Sequence, residues 1–247
     1  MSTGIWAAAS GAVAQTTALD VASNNVANAS TPGYRADRTV FRRELNQAQG
    51  AAMGTRSLKY SLVRTVEADR RQGQLVHTGR ALDVALKDPN DWFRVATPQG
   101  IRFTRAGSIQ MTADGYLRGP DGASYVDSAG RSIQVAREAK SVRISATGAL
   151  VVDGVDTGQR LSVVRFSNPG ALVKDGSVLM RATTEAGQPW NVDADLETEA
   201  IESSNASALN GMTSLVQAAR EFEMVTRVID AFSTIERRTA EQVGSGK

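Results

Sequence analysis

Acid–base or nucleophilic chemistry would have few side chains to use in this sequence. His77 is the only histidine among 247 residues, so a Ser-His-Asp triad would have to include it. It lies in the stretch Gly-Gln-Leu-Val-His-Thr-Gly, residues 73–79, which is typical of a strand and a turn and has no nucleophile motif nearby. A histidine on the surface or packed in the fold is the favoured interpretation. We therefore predict no catalytic residue.

Carboxylates could act as metal ligands or as an acid–base pair, and one acidic run precedes the C-terminal stretch. Its members are Asp193, Asp195, Glu197, Glu199 and Glu202. The run lacks the glycine and the ligand spacing of a calcium loop, so we interpret it as a solvated segment. The chain has no cysteine, and no phosphate-binding glycine loop precedes a helix. We expect no metal and no cofactor.

Charge and hydropathy exclude further classes of partner. The formal net charge is +2, which is too small to indicate nucleic-acid binding. The densest basic group is interpreted as a solvated or partner-facing segment: Arg35, Arg38, Arg42 and Arg43. No run of about 18 apolar residues is present, so no membrane span is expected. The first residues do not resemble a cleaved signal peptide, so we expect a cytoplasmic chain or one that leaves by a route without such a signal.

A helical stripe runs through the N-terminal stretch. Its members recur in steps of three and four, the spacing of a coiled-coil seam. They are Ile5, Ala8, Ala12, Gln15, Leu19, Ala22 and Val26. Most are alanine, and small side chains let a neighbouring helix approach closely but bury little area. We do not expect this helix to hold itself folded in an isolated chain.

The C-terminal stretch repeats this spacing with larger side chains. Its seam consists of Leu215, Ala218, Phe222, Val225, Ile229 and Phe232. The stripe is widened on its flanks by Met212, Ala219, Val228 and Ile235. A wider apolar stripe can contact more than one neighbour. We expect Asn205 or Ser207 to cap the start of this helix, with Gly244 near its end.

Short alternating segments fill the middle of the chain. Turn dipeptides separate them: Asp114-Gly115, Asp121-Gly122, Thr147-Gly148 and Asp153-Gly154. This pattern predicts antiparallel β structure and an α+β fold class. We divide the chain into an N-terminal helix (1–33), a connecting segment (34–60), a β domain (61–202) and a C-terminal helix (203–247), and we expect the two ends to pack together.

The first helix ends in a specific sequence. Pro32 cannot continue a helix, Thr31 before it is driven toward extended geometry, and Gly33 permits a turn. Farther along, residues 46–57 are small and polar, which predicts a loop.

Residues 23–34, Ser-Asn-Asn-Val-Ala-Asn-Ala-Ser-Thr-Pro-Gly-Tyr, resemble the signature of the bacterial flagellar rod and hook proteins. That family typically has Asn-Asn-(Leu or Ile)-Ala-Asn, then Thr-Pro-Gly and an aromatic residue, at the end of an N-terminal helix. The matching positions are Asn24, Asn25, Ala27, Asn28, Thr31, Pro32, Gly33 and Tyr34. Further blocks resemble the family in order: residues 73–75, 78–86, 92–93, 103–107, 114–117, 196–197, 204–205 and 220–224.

The sequence departs from the family pattern at two places. Residues 87–91, Lys-Asp-Pro-Asn-Asp, stand where the family often has Gly-x-Gly, so we expect a different local turn. Ser204-Asn205-Ala206 replaces the usual Ser-Asn-Val.

The resemblance implies a non-enzymatic structural subunit of the flagellar basal-body rod. In that family the N- and C-terminal helices pair as an antiparallel coiled coil that forms the inner tube, and the β domain lies outside. It further implies a homo-oligomer in a helical tube, with other flagellar rod proteins above and below. The tube would transmit motor torque to the hook and carry exported subunits. The chain would leave through the flagellar type III export apparatus and reside in the periplasmic rod.

The position within the rod has two candidates. A chain of this length with one β domain resembles either the proximal rod protein that adjoins the distal rod or the distal rod protein itself. The ending Arg-Glu-Phe-Glu-Met, residues 220–224, favours the proximal one. An envelope-acting enzyme would need a carboxylate pair or metal cluster in a cleft. An export-associated binding protein would need terminal helices that are stable in a monomer. Both stay open as less favoured alternatives.

Two site hypotheses accompany the resemblance. Asn24, Asn25 and Asn28 would cap helix ends or bond backbone groups of neighbouring subunits, because side-chain amides both donate and accept hydrogen bonds. Phe41 and Leu45 resemble an aromatic-x-x-x-aliphatic motif recognised by the export gate, with a buried amphipathic turn as the alternative. The coiled coil would be held by Ile5, Leu19, Val26, Leu215, Phe222, Val225, Ile229 and Phe232.

Overall fold

A computed structural model describes residues 3–45 and 60–244. The chain forms two compact units. The helical unit comprises the described parts of Met1–Val26, Asp37–Glu67 and Ala208–Lys247, and the β unit comprises Ala27–Ala36 and Ala68–Ser207. The Thr-Pro-Gly-Tyr stretch therefore belongs to the β unit, although it closely follows the first helix.

The helical unit contains two helices and a strand pair. Helix α1 is Thr3–Ala27 and helix α2 is Ala208–Gly244. Strands β1 (Asp37–Leu45) and β2 (Tyr60–Ala68) form a two-stranded sheet. The segment 34–60, predicted as a connection, thus contains a strand, and the loop predicted over 46–57 lies outside the described residues.

The helix ends follow from local sequence. After α1, the Thr31 amide donates to the Asn28 carbonyl at 3.1 Å, which closes a turn just ahead of the proline. Helix α2 begins directly after Ser207, one of the two predicted cap positions, and Gly244 is its last residue. Within the described part of the chain, no helix is both long and apolar enough to cross a membrane.

Two glycines mark close contacts inside the helical unit. A Cβ added to Gly11 would lie 3.7 Å from Cγ1 of Val225. A Cβ added to Gly211 would lie 2.6 Å from Cγ2 of Val26. Both contacts join α1 with α2, and the second leaves no room for a larger residue unless Val26 moves.

The β unit consists of short strands and two 3-10 turns. The strands are β3 (Leu75–His77), β4 (Val84–Leu86), β5 (Asp91–Thr97), β6 (Gly100–Thr104), β7 (Gln110–Met111), β8 (Leu117–Arg118), β9 (Ser124–Tyr125), β10 (Val142–Ile144), β11 (Ala149–Val152), β12 (Val155–Arg160), β13 (Val163–Arg165), β14 (Val173–Lys174), β15 (Leu179–Arg181), β16 (Trp190–Asn191), β17 (Leu196–Thr198) and β18 (Ala200–Glu202). The 3-10 turns are Pro169–Ala171 and Thr184–Ala186.

One nine-stranded sheet dominates the β unit. Its main path runs β14-β15-β6-β5-β9-β8-β7, and β13 joins β5 to the edge strand β16. Strands β10, β11 and β12 form a separate sheet, while β4 pairs with β17 and β3 with β18. The described pairings of the β unit are antiparallel, which confirms the predicted α+β class with a mostly antiparallel β domain.

Two apolar clusters hold the β unit together. The larger one includes Phe93 and Tyr125, whose rings meet edge to face with centroids 5.8 Å apart. The smaller includes Phe103 and Phe166, at 4.8 Å. Fully burying one such side chain contributes about 1.5–3 kcal/mol. The four turn glycines predicted from sequence all adopt left-handed backbone, with φ between +73° and +84°.

Candidate functional site

The asparagines at the end of α1 bond to the chain itself. The Asn25 side chain donates from Nδ2 to the Asp37 carbonyl and accepts at Oδ1 from the Asp37 amide, each at 2.8 Å. Nδ2 of Asn24 donates to Oδ2 of Asp37 at 3.1 Å. These bonds tie the last turn of α1 to the first residue of β1. Bonds from these amides to neighbouring subunits stay a prediction.

The Thr-Pro-Gly stretch turns the chain against the end of β6. Thr31 Oγ1 donates to Asn28 Oδ1 at 3.3 Å. Gly33 has φ +73°, and a Cβ there would lie 2.3 Å from the Ala106 amide nitrogen and 2.7 Å from the Arg105 carbonyl carbon. Both the backbone conformation and the space therefore require glycine at this position.

Tyr34 is fully buried next to this turn. It forms a small apolar cluster with Ala106 and Val178. The ammonium group of Lys174 lies 3.9 Å from the centroid of its ring, within the range of a cation–π contact. The aromatic position of the motif thus packs Gly33 and its neighbours onto the β unit.

Glu202, the last residue of β18, binds two buried arginines. Its Oε2 accepts from Nε of Arg105 at 2.8 Å, and its Oε1 lies 2.9 Å from an Arg35 guanidinium nitrogen. The Gly73 amide donates to Oε1 at 3.0 Å, and the Glu202 carbonyl accepts from the Gly33 amide at 2.7 Å. The side chains of Glu202, Arg105 and Arg35 are 1%, 0% and 3% exposed.

Burial governs the electrostatics of this cluster. It lowers the pKa of Arg35 to about 10, with Glu202 opposing this shift and Arg105 adding to it. Arg105 is also held by carbonyl oxygens of Leu86 and Asp88, at 3.1 Å and 2.7 Å. A buried ion pair of this kind fixes geometry more than it adds net stability, and losing one partner is costly.

Asn205 connects three separate segments of the β unit. Its Oδ1 accepts from the Ala36 amide at 2.6 Å. Its Nδ2 donates to the carbonyls of Asp69 and Arg71 at 3.0 Å and 2.7 Å. Its own amide donates to the Tyr34 carbonyl at 3.3 Å. The Asn205 side chain is thus engaged within the β unit, and α2 begins directly after Ser207.

These contacts define what we call the motif junction. Its members are Gly33, Tyr34, Arg35, Ala36, Gly73, Arg105, Ala106, Glu202 and Asn205. Four of the blocks that carry the family resemblance meet there: residues 31–34, 73–75, 103–107 and 204–205. Two interpretations from the sequence were wrong at this point. Glu202 is buried and not part of a solvated run, and Arg35 is buried and not part of a solvated or partner-facing basic segment.

The positions of Arg35 and Glu202 beside family motifs could have indicated that both residues are buried. Arg35 directly follows the motif, and Glu202 lies just before Ser204-Asn205. The rest of the acidic run behaves as predicted near Lys87, which pairs with Asp195 at 3.0 Å and with Glu197 at 3.7 Å on the surface.

The turn that departs from the family pattern is held by side chains instead of glycines. Oδ1 of Asp88 accepts from the Asn90 amide at 2.9 Å and from Asn90 Nδ2 at 3.1 Å. Oδ2 of Asp88 pairs with Arg165 at 2.5 Å, and Arg165 also binds Asp91 at 2.8 Å. The amide of Asn90 and then Arg165 hold the pKa of Asp88 below its ordinary value, while partial burial opposes them.

The remaining predicted residues divide into three groups. His77 is largely exposed, 3.9 Å from Glu199, and no cluster of three metal-ligating side chains occurs among the described residues. Phe41 and Leu45 belong to β1 and Ile5 to α1, but their side chains lie outside the described set. The other seam residues are half-buried: Leu19, Val26, Leu215, Phe222, Val225, Ile229 and Phe232.

Three family models match successive parts of the chain. The model described as "Flagella basal body rod protein" matches residues 5–35. The model "Flagellar hook protein FlgE/F/G D1 domain" matches residues 88–152. The model "Flagellar basal body rod FlgEFG protein C-terminal" matches residues 197–242. The first and third matches contain the two ends of the chain that contribute to the motif junction.

Curated relatives match over most of their length. The flagellar basal-body rod protein FlgF of Caulobacter vibrioides is 27% identical over 226 residues, 92% of this chain and 91% of the relative. FlgG of Bacillus subtilis is 30% identical over 234 residues, 86% and 88% of the two chains. FlgF of Escherichia coli is 32% identical over 226 residues, 85% and 86%. Identity at this level across nearly whole chains means that the chain belongs to the flagellar basal-body rod protein family.

Proposed function

We propose that this chain polymerises helically, through its terminal helices, into the hollow shaft that transmits motor torque to the hook and carries exported subunits. One observation carries the proposal: α2 leaves many large apolar side chains in solvent. They are Leu209, Met212, Val216, Met224, Val228 and Ile235, exposed by 47% to 73%. Apolar area of this extent on one helix indicates a surface that other chains cover.

Membership of the family establishes part of this function. The chain is a structural, non-enzymatic protein of the flagellar basal-body rod, as the sequence predicted. The family name does not include helical polymerisation, the contacts between subunits or the route of export. We propose these here.

Pairing of α1 and α2 as an antiparallel coiled coil is the first step of the proposed assembly. A Cβ added to Gly11 would meet Val225, and one added to Gly211 would meet Val26. A position farther along α1 therefore faces a position nearer the start of α2. That order is the one expected of antiparallel neighbours. The seam residues have coiled-coil spacing and are only half-buried, which leaves apolar area for further copies.

Contacts between different surfaces of successive copies would then build the tube. Such heterologous contacts do not close on themselves and so generate filaments. The small residues of α1 suit this arrangement because they let many helices approach closely around a channel.

The test of polymerisation is a charge placed on the exposed stripe. We expect Val216→Glu to abolish incorporation of the chain into isolated basal bodies and to stop motility, because a carboxylate would be buried between subunits. Ser214→Glu is the matched control, since Ser214 is exposed on the same helix, and it should be incorporated at the wild-type level. Circular dichroism of the purified chains should be unchanged in both. Normal incorporation of Val216→Glu would refute the proposal.

Export by the flagellar type III apparatus is a separate part of the proposal. Phe41→Ala should leave the chain soluble and folded but reduce its secretion, whereas Thr39→Ala should be secreted normally. Secretion of both variants at the wild-type level would exclude Phe41 from the export signal.

The proximal position in the rod, with other rod proteins above and below, also stays a prediction. Relatives named FlgF and FlgG match with 27–32% identity. Because the chain has no cysteine, Met212→Cys would give a single crosslinking site. Mass spectrometry of the crosslinked basal body should find this chain and a different rod protein as partners. Crosslinks to ring proteins alone would contradict the axial position.

A further inference from the structure

A groove in the β unit contains none of the residues of the motif junction. It has a volume of about 870 Å³ and is lined by the end of β12, by β13, and by β16 with the residues that follow it. Pockets that hold organic ligands in proteins span roughly 300–1,000 Å³, so the groove is large enough for a ligand of several rings.

Trp190 on this groove is exposed. Its side chain is 46% accessible, whereas Trp92 in the core is 4% accessible. Trp190 stands on the two-residue strand β16 at the edge of the large sheet, opposite Arg165 of β13. An exposed indole offers a flat apolar face together with one hydrogen-bond donor.

The polar side chains around this indole are not engaged elsewhere. Within the described residues, Ser128, Arg160, Asn191 and Asp193 make no side-chain hydrogen bond or ion pair. The buried hydroxyl of Ser162, which also lines the groove, has no hydrogen-bond partner there either. By contrast, Arg131 forms an ion pair with Asp127, and Lys87 forms one with Asp195. The four groove side chains are exposed, so a ligand can take the place of water on them, and the Ser162 hydroxyl is the buried, unpaired group of this set.

The chemistry of the lining favours a neutral ligand rich in hydroxyl groups. Arg160 only donates, Asp193 only accepts, and Asn191 does both, while the two charges cancel. A phosphate or carboxylate ligand would call for an excess of arginine or lysine, and a metal ion for several carboxylates. An added peptide strand would find only a two-residue edge, since β16 consists of Trp190 and Asn191 alone.

We propose that this groove binds a neutral oligosaccharide. One sugar ring stacks its C–H face on Trp190, and the hydroxyl groups bond to Asn191, Asp193 and Arg160. The proposal does not depend on polymerisation, since every residue it uses belongs to the β unit.

The test is binding of the full chain to chitotetraose, cellotetraose and maltotetraose, followed by calorimetry and tryptophan fluorescence. We expect at least one of the three to bind with a dissociation constant of about 1 mM or below. Trp190→Ala should weaken that binding by about tenfold or more, as for an aromatic residue at the centre of a binding site. Val173→Ala, which truncates a comparably exposed apolar side chain on β14, should bind as the wild type does.

Three results would overturn the proposal. The first is no binding of any of the three sugars at about 10 mM. The second is equal binding by wild type and Trp190→Ala. The third is self-association of the wild type, measured by sedimentation, that is absent in Trp190→Ala, while neither chain binds a sugar. The groove would then be a contact between copies of the chain. Val216→Glu should keep its sugar affinity, and this separates failure of the groove from failure of the assembly proposal.

Discussion

The helical unit and the β unit differ in where their apolar side chains are buried. Among the described side chains of the helical unit, only Ala22 and Ala218 are buried apolar residues. The β unit encloses two clusters with large members such as Phe93, Tyr125 and Phe166. One unit has a hydrophobic core of its own, while the other has half-buried seams and exposed apolar residues. We infer that the two units obtain their order from different sources.

Limited proteolysis of the purified monomer gives the largest expected contrast. Cleavage should be rapid before residue 27 and after residue 207 and slow within 68–207, because cleavage follows local opening. Residues 33–36 should resist with the β unit, since Tyr34 and Arg35 are buried in it. Fragment masses over time provide the measurement, and digestion in urea provides the control. Helices as resistant as the β unit would mean that the seam is filled within one molecule.

Glu202 tests whether the motif junction stabilises the β unit. Glu202→Ala leaves Arg35 and Arg105 buried without their carboxylate, and we expect the free energy of unfolding to fall by about 3–5 kcal/mol. Glu197→Ala, from the same acidic run but on the surface, should change it by about 1 kcal/mol or less. Urea unfolding followed by fluorescence measures both. A similar loss of unfolding free energy in the two variants would mean that Glu202 contributes no more than a solvated carboxylate.

The helices and turns of this fold could be predicted from sequence because their signals are local. Seam spacing, Pro32 and the turn glycines each act within a few residues. The motif junction could not, because Arg35, Arg105 and Glu202 meet only after distant segments have folded together. A charged residue next to a motif has the same local pattern whether it is buried or exposed. The resemblance indicated that residues 31–34 and 204–205 matter but not which atoms they contact.

Asn205 tests the side-chain hydrogen bonds that join residues 36, 69 and 71 within the β unit. Asn205→Ala leaves the Ala36 amide and the carbonyls of Asp69 and Arg71 without that side chain, and we expect a loss of about 1–3 kcal/mol in the free energy of unfolding. Asn205→Asp keeps the acceptor for Ala36 and removes the donor. It also places a carboxylate oxygen against the carbonyl oxygens of Asp69 and Arg71, so we expect it to lose at least as much stability as Asn205→Ala. Equal stability of Asn205→Ala and the wild type in urea would show that water replaces these bonds.

Substitution of Asp88, in the turn that differs from the family pattern, should have the smallest effect on stability. Its pKa is lowered in the folded chain, so the unfolded chain binds the proton more tightly. The stability that Asp88 contributes is present above its unfolded pKa of about 3.9 and is lost as the pH falls through the lower folded value. Because its pair with Arg165 is partly exposed, we expect Asp88 to contribute no more than about 1 kcal/mol to the free energy of unfolding.

Urea midpoints at about pH 7 and about pH 3 should therefore differ less for Asp88→Asn than for the wild type. Asp114→Asn removes one carboxylate from an exposed pair with Arg137 and controls for net charge. If Asp88→Asn and Asp114→Asn flatten the pH dependence equally, the cause is general charge, and the side chains that replace glycine in this turn have no specific stabilising role.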